Sequence, residues 1–168
     1  MDQRDSFPDL HIRPVSESDV PLLLTLIKEL AKYERLADKV EATEVVLRES
    51  LLGAQPAAEA LIAYLGAEPV GYAIWFYNFS SFTGRPGLYI EDVYVRRHAR
   101  SRGVGKALLL HLVRLAKERS CARMEWAVLD WNEPAISFYR GLGARPMDEW
   151  TIFRLDADDL SHLAENLP

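Results

Sequence analysis

The sequence is poor in the features that mark secreted, metal-dependent or membrane-bound proteins. Its single cysteine, Cys121, cannot form an intramolecular disulfide, so an oxidising compartment offers no gain and we expect a cytoplasmic location. The four histidines are scattered without metal-ligand spacing, and no metal site is predicted. Residues 1–5 are rich in charge, and no apolar run reaches the roughly 18 residues that span a bilayer. Neither a targeting segment nor a membrane anchor is expected.

The chain also has fewer basic than acidic residues, 20 against 25. The formal net charge is -5 at pH 7, and binding to nucleic acid or to an anionic membrane demands a basic face. We therefore expect neither as a partner, whereas a small cationic molecule fits the charge. With 49% hydrophobic and 27% charged residues, the 168-residue chain is predicted to be a single domain, residues 1–168, with its core at about 10–156.

Strand-like and helix-like patterns alternate along the chain. The predicted strands are residues 10–14, 61–65, 70–77, 88–95, 124–129 and 150–155. The predicted helices are residues 22–31, 43–52, 103–119 and 133–139. Such alternation indicates an α/β fold, with a mixed sheet and helices packed on its faces.

The most informative segment follows the strand 88–95, where a basic turn with two glycines opens a helix. The first helical turn leaves backbone N–H groups without intrahelical partners, and the helix dipole makes that end electropositive. Gly103 and Gly105 remove side chains that would keep a diphosphate from the backbone. Arg100, Arg102 and Lys106 add positive charge. These features predict a diphosphate site.

Other phosphate-binding patterns fit this turn less well. The segment lacks the third glycine of a dinucleotide fingerprint, and the chain has no early βαβ unit. It also lacks the Gly-Lys-Ser/Thr ending of nucleotide triphosphate sites. For the turn taken alone, a purely structural alternative stays open, in which the glycines start a helix and the arginines are solvated.

Motifs downstream of the turn favour the diphosphate site over the purely structural alternative. Arg100, Gly103 and Gly105 form the order Arg-x-x-Gly-x-Gly after a strand, and residues 132–135 (Asn-Glu-Pro-Ala) and 138–139 (Phe-Tyr) follow. This arrangement resembles the GCN5-related N-acetyltransferase (GNAT) superfamily over nearly the whole chain.

Within that superfamily the chain is similar to the diamine N-acetyltransferases, which act on spermidine, spermine or thialysine. The similarity lies in residues 26–34, 88–92 and 127–132. The resemblance implies a single domain whose central mixed, mostly antiparallel sheet has six to seven strands, is splayed in the middle and is flanked by about four helices. It also implies a homodimer and an enzyme that transfers acetyl from acetyl-CoA to a primary amine.

By the same resemblance, the strand before the turn pairs with the pantetheine arm, the turn holds the diphosphate, and the segment from residue 132 lies along the pantetheine. The implied cofactor-binding residues are Val93, Tyr94, Val95, Arg100, Ser101, Arg102, Gly103, Val104, Gly105, Lys106, Asn132, Pro134, Ala135 and Tyr139.

The chemistry requires a proton acceptor and a proton donor. A lysine-like amine has a pKa near 10.4, so forming its neutral nucleophile at pH 7 costs roughly 4.6 kcal/mol. Glu91 is our candidate base, acting through water. Its burial on a central strand would be costly without such a role. Asp92 should point to the opposite side of a regular strand, although a bulge could bring both carboxylates to one pocket.

Tyr139 is the general acid that the resemblance implies, because a phenol within hydrogen-bond reach can protonate the departing thiolate. A backbone N–H near Val93 would meet the developing oxyanion. Direct transfer in a ternary complex is expected, and an acetylated Cys121 is not.

The predicted acceptor-binding residues are mostly carboxylates, because the acceptor is a cation; they are Glu29, Glu91, Asp92, Glu149 and Trp150. The loop at residues 78–86 lacks the aspartate of the polyamine enzymes, which favours thialysine-like acceptors. Two alternatives stay open. One is the same fold acting on protein or peptide amines or on an aminocyclitol, and the other is a coenzyme A-binding module without turnover.

Overall fold

A computed structural model describes residues 9–166, and the charged start of the chain, residues 1–5, lies outside them. The described chain forms two compact units, one that extends to Leu129 and one that begins at Asp130. No helix in the described part combines the length and the apolar character needed to cross a bilayer.

The first unit contains all five strands and three of the α-helices. Its elements are β1 (Leu10–Pro14), α1 (Val20–Tyr33), α2 (Glu44–Leu52), β2 (Glu59–Leu65), β3 (Glu68–Ser80), β4 (Arg85–Val95), α3 (Val104–Glu118) and β5 (Met124–Trp126). The second unit contains α4 (Glu133–Gly141) and α5 (Ala157–Glu165).

The sheet is mixed and mostly antiparallel, which confirms the predicted α/β class. Its strands follow the order β1-β2-β3-β4-β5, with β1 to β4 antiparallel and β5 parallel to β4. The described residues give five strands, so the expected count of six to seven is wrong. Five α-helices replace the expected four.

The difference in count arises in the second unit. The predicted strand at residues 150–155 has no ladder partner among the described residues, and the side chains of Trp150, Ile152 and Phe153 are exposed by 72%, 76% and 92%. An apolar run becomes a strand only where a neighbour supplies backbone hydrogen bonds. The extra helix is α5, which is N-capped by the Asp156 side chain and its hydrogen bond from the Asp159 N–H at 3.2 Å.

The two faces of the sheet carry two different layers of core residues. On one face, Leu23 and Leu26 of α1 belong to the same buried cluster as Ile62 and Tyr72 of the sheet. α3 packs against β3 and β4, and its apolar side at Leu108 is fully buried. The regular apolar spacing of α1 and α3 explains both layers.

A partly buried ion pair closes the corner between β1 and α1. Arg13 donates to the two carboxylate oxygens of Asp19 at 2.6 and 2.8 Å, and to the Tyr64 hydroxyl at 2.8 Å. The Ser16 backbone N–H also donates to Asp19, at 2.8 Å. Hydrogen bonding from Arg13 holds the pKa of the Asp19 carboxyl well below its usual range. We call this group the Arg13–Asp19 corner.

Candidate active site

The strand β4 loses one of its neighbours halfway along its length. Within the described chain, β5 pairs with β4 from Leu88 to Ile90, and the last pair joins Ile90 to Trp126. Beyond that point Glu91 has no partner in the ladder, and residues 92 to 95 of β4 pair with β3 alone within the described chain. The predicted splay in the middle of the sheet is therefore present.

The backbone of β4 directs polar groups into this splay. The Arg96 N–H donates to the Val70 carbonyl of β3 at 2.8 Å. Because backbone groups alternate in direction along an antiparallel strand, Val93 and Val95 direct theirs away from β3. An extended chain of amides, such as a pantetheine arm, needs such a row of donors and acceptors.

The turn after β4 leaves open space over the first turn of α3. Gly103 adopts a φ of 78°, which favours glycine, and it forms the N-cap of α3. A Cβ built on Gly105 meets, among the described residues, just the Val95 side chain at an ordinary 3.7 Å. Packing therefore does not require glycine at position 105, whereas close approach of a phosphate to the backbone does.

The arginine of the glycine motif has partners within the first unit. Nε of Arg100 donates to the Val95 carbonyl at 2.9 Å, and its guanidinium carbon lies 4.4 Å from the centre of the Tyr33 ring. Arg100 thus joins the turn to the end of α1. Its contact with a diphosphate stays a prediction, as do those of the exposed Arg102 and Lys106.

A β-bulge separates the two neighbouring carboxylates. Ile74 of β3 lies opposite Asp92, but the next residue, Trp75, lies opposite Ile90, so Glu91 is the extra residue. The bulge reverses the alternation of faces and places Asp92 on the α1 face. Glu91 is exposed, so the argument from its burial is wrong, and its role as the base stays a prediction.

Asp92 is the carboxylate with the unusual environment. The Tyr72 hydroxyl, on a fully buried side chain, donates to Oδ2 of Asp92 at 3.0 Å. Burial raises the pKa of Asp92 to about 6; the hydrogen bond from Tyr72 opposes the rise, and the charges of Glu91 and Glu34 add to it. Half of such carboxyls are still protonated at pH 6, so this group can exchange a proton near neutrality.

The first helix supplies one expected and one unexpected carboxylate. Glu29 forms an ion pair with Arg96, at 2.7 and 3.0 Å, and accepts a hydrogen bond from the Tyr94 hydroxyl at 3.4 Å. Its predicted contact with the acceptor would compete with this pair. Glu34, directly after α1, was not predicted. Burial raises its pKa, and its charge reaches Asp92.

Glu34 could have been found from the sequence with one further consideration. Glu29 and Glu34 are five residues apart, which places them on different sides of a helix. The matching segment 26–34 contains both, so similarity alone could not choose between them.

The remaining predicted site residues lie in the second unit. Asn132 is buried and precedes α4, Pro134 and Ala135 lie in the first turn of that helix, and Tyr139 is half-buried near its end. Phe138 contacts the Tyr139 ring, with centroids 5.5 Å apart. Predicted acceptor contacts of Glu149 and Trp150, both exposed, stay predictions. Within residues 9–166, no three His, Cys, Asp or Glu side chains come together as metal ligands.

The chain is similar to several amine acetyltransferases over most of its length. It is 35% identical to the thialysine N-epsilon-acetyltransferase of Sus scrofa, across 91% of this chain and 96% of that protein. It is 29% identical to the L-ornithine N5-acetyltransferase of Arabidopsis thaliana, across 89% and 85% of the two chains.

Solved structures share the fold. An integron cassette protein from the mobile metagenome of V. cholerae superposes with a TM-score of 0.78 at 26% identity, covering 94% of this chain and 99% of that one. The acetyltransferase (GNAT) family profile matches residues 24–144, which include the splay of β4, the glycine turn and α4. The chain therefore belongs to the acetyltransferase (GNAT) family and is an acetyltransferase.

Proposed function

We propose that the protein transfers an acetyl group from acetyl-CoA to the primary amine of a small cationic acceptor, such as a diamine, a polyamine or a thialysine- or lysine-like amino acid. The observation that carries this proposal is the anionic group formed by Asp92, Glu91 and Glu34 beside the splayed strand. The names of the relatives support it, because thialysine and L-ornithine are both short amino acids with a side-chain amine.

The splay and the turn fit coenzyme A. Backbone groups of Val93 and Val95 would pair with its pantetheine amides, and the N-terminus of α3 at Gly103 and Gly105 would hold its diphosphate. When bound, this group supplies an acetyl thioester. The family resemblance adds Asn132, Pro134 and Ala135 along the pantetheine, and the remaining turn residues from Arg100 to Lys106 around the phosphates.

The acidic residues would recognise the acceptor by charge. An ammonium group next to Asp92 and Glu34 would compensate both carboxylates. Among the described residues, no cationic side chain contributes to the shifted pKa of Asp92, so the acceptor itself would supply the positive charge. We include Glu29, Glu149 and Trp150 as acceptor contacts from the resemblance alone.

Transfer then needs two proton movements. A carboxylate at the bulge, Glu91 through water or Asp92 directly, would take the proton of the ammonium group. Tyr139 would donate its phenolic proton to the departing thiolate, and the Val93 N–H would stabilise the oxyanion. Attack is direct, within a ternary complex, and no residue of the chain becomes acetylated.

We also propose, from the single cysteine and the chain length, that the chain works in the cytoplasm as a single domain, and, from the resemblance, that it forms a homodimer. Light scattering of the purified protein tests the dimer, since a mass near twice 19.1 kDa is expected.

The proposed function is tested by screening the protein with acetyl-CoA against thialysine, ornithine, diamines, spermidine, peptides and an aminoglycoside. Turnover of small amines is expected, and turnover of peptides alone would overturn the proposal. Coenzyme A should bind in calorimetry. If no amine is acetylated although coenzyme A binds, the protein is the binding module that the sequence left open.

Tyr139 is tested separately. Tyr139→Phe should keep acetyl-CoA affinity and lose kcat by about 100-fold or more, because it removes a general acid and little else. The control is Phe138→Leu, a neighbour on α4 whose hydroxyl-free ring has no proton to give. An unchanged kcat in Tyr139→Phe would contradict the assignment.

A further inference from the structure

The interior of β3 carries a polar group that the proposed mechanism does not use. Tyr72 is fully buried and lies directly opposite Tyr94, two positions along from the pair of Ile74 and Asp92 and on the same face. Its hydroxyl reaches across the ladder to Oδ2 of Asp92 at 3.0 Å. A buried hydroxyl without a partner is costly, so this hydrogen bond is required wherever Tyr72 is present.

The hydrogen bond from Tyr72 involves one of the two carboxylate oxygens of Asp92. Within residues 9–166, Tyr72 is the single hydrogen-bond partner of the Asp92 side chain, and it donates to Oδ2. Oδ1 keeps its lone pairs for another donor. The Tyr72 hydroxyl therefore fixes the rotation of the carboxylate without neutralising it.

We propose that Tyr72 is a positioning residue of the acceptor site, which holds the Asp92 carboxylate so that Oδ1 binds the acceptor ammonium group and takes its proton. The proton passes from the amine nitrogen to Oδ1, which leaves a neutral amine and a neutral carboxylic acid; the acid then returns the proton to solvent. This proposal rests on the proposed function and adds a residue that the sequence did not single out.

The charged neighbours of Asp92 affect how readily it takes the proton of the ammonium group. Glu91 lies beside it on β4, Glu34 faces it from the end of α1, and both negative charges favour the protonated form. The Tyr72 hydrogen bond favours the ionised form. Tyr72 therefore sets the balance that lets Asp92 be a carboxylate when the ammonium group arrives.

The test is Tyr72→Phe, with two readouts. A ¹³C NMR titration of the Asp92 carboxyl, assigned with Asp92→Asn, should show its midpoint rising by about one pH unit, the worth of one hydrogen bond to a charged group. The acidic limb of kcat/KM for the amine should rise by the same amount, while KM for acetyl-CoA stays unchanged.

The matched control is Tyr64→Phe. Tyr64 is another buried tyrosine of the same core cluster, but its hydroxyl contacts Arg13 rather than Asp92. It should leave the acidic limb in place, which separates positioning from a general loss of packing. If both variants move the limb alike, the proposal is wrong.

Two further measurements apply if Tyr72→Phe does not fold or if no amine is acetylated. Site-specific 3-fluorotyrosine at position 72 keeps the shape and makes a stronger donor, so the limb should move to lower pH even if Tyr72→Phe does not fold. An unmoved limb there overturns the proposal. If the wild-type protein acetylates no amine, the proposed function fails, whereas the NMR titration still decides whether Tyr72 controls Asp92.

Discussion

Two aspartates of the first unit, the buried Asp19 and the partly buried Asp92, have opposite surroundings. Asp19 receives two hydrogen bonds from Arg13 and others from Ser16, and its pKa is held well below the usual range by the Arg13 hydrogen bond. Asp92 receives one hydrogen bond, from Tyr72, and burial raises its pKa to about 6. The same side chain is thus stabilised as an anion at one place and destabilised as an anion at the other.

The difference separates a structural carboxylate from a reactive one. At the Arg13–Asp19 corner, Arg13 and Ser16 supply the positive charge and the hydrogen bonds that stabilise the Asp19 carboxylate, so Asp19 has no need of a ligand. At Asp92 the chain leaves the charge uncompensated near a second partly buried carboxylate, Glu34. A cost of that kind marks positions selected for binding or proton transfer.

The largest expected effect comes from removing the charge of Asp92. Asp92→Asn should reduce kcat/KM for the amine by about 100-fold, because the proton acceptor is lost. At pH 8 it should also raise the free energy of unfolding by roughly 2 kcal/mol, since a buried anion is removed and the amide oxygen can still accept from Tyr72. Steady-state kinetics and urea unfolding measure the two changes. Full activity would contradict the assigned role.

The corresponding substitution at Asp19 should lower the stability of the protein and leave its catalysis unchanged. Asp19→Asn should lower the free energy of unfolding by about 1 to 2 kcal/mol, because Asp19 loses its charge-assisted hydrogen bonds with Arg13, whose exposure to solvent reduces the effect. The kcat of the folded fraction should stay unchanged, since the corner lies outside the proposed site. A variant as stable as the wild type would mean that the pair contributes nothing.

The pH dependence of stability should distinguish the two aspartates without any ligand. The pKa of Asp92 is higher in the folded state than the ordinary value of 3.8 for an aspartate, so its contribution to stability is greatest below pH 3.8 and falls as pH rises through about 6. The pKa of Asp19 is lowered, so its contribution is present above pH 3.8 and is lost as pH falls.

Melting curves from pH 3 to 8 measure this contrast. Between pH 4 and 6, the stability of Asp92→Asn relative to wild type should rise by up to about 1.4 kcal/mol per pH unit. Asp19→Asn should instead approach wild type as the pH falls below 4. Parallel curves for all three proteins would show that neither group is shifted.

The smallest expected effect comes from removing the charge of Glu34, which acts on Asp92. Glu34→Gln removes a negative charge that raises the pKa of Asp92, so the acidic limb of kcat/KM should move down by about 0.3 to 0.5 pH unit. Glu29→Gln is the control on the same helix, and it should leave the limb in place because Arg96 already compensates that charge. Equal shifts in both would show a long-range effect of net charge.

Local patterns predicted the elements of the first unit well. The helix expected at 103–119 is Val104–Glu118, and the strand expected at 88–95 is the second part of Arg85–Val95. Apolar spacing fixes such elements because each face packs on a continuous layer. The segment 150–155 failed, since its apolar residues specify a tendency and not a pairing partner.

The site was predictable in outline and not in detail. The glycine turn and the splay followed from motifs, whereas the position of the bulge depends on the register of β3 against β4, which separates Glu91 from Asp92. The approach of Glu34 and Tyr72 to Asp92 joins residues far apart in the chain. No rule of residue spacing relates positions so far apart in the sequence, so only the fold could show which carboxylate has the raised pKa.

The single extra residue at Glu91 lets Ile90 and Asp92, two positions apart, lie on opposite faces of the sheet, whereas a regular strand would place both on one face. Deleting Glu91 would join Ile90 directly to Asp92 in the same register, so Asp92 would stay on the α1 face and the second carboxylate would be lost. A strand of unchanged length without the bulge would instead turn Asp92 toward α3 and Val93 toward α1. The register of this strand is therefore as much a part of the acidic site as the acids themselves.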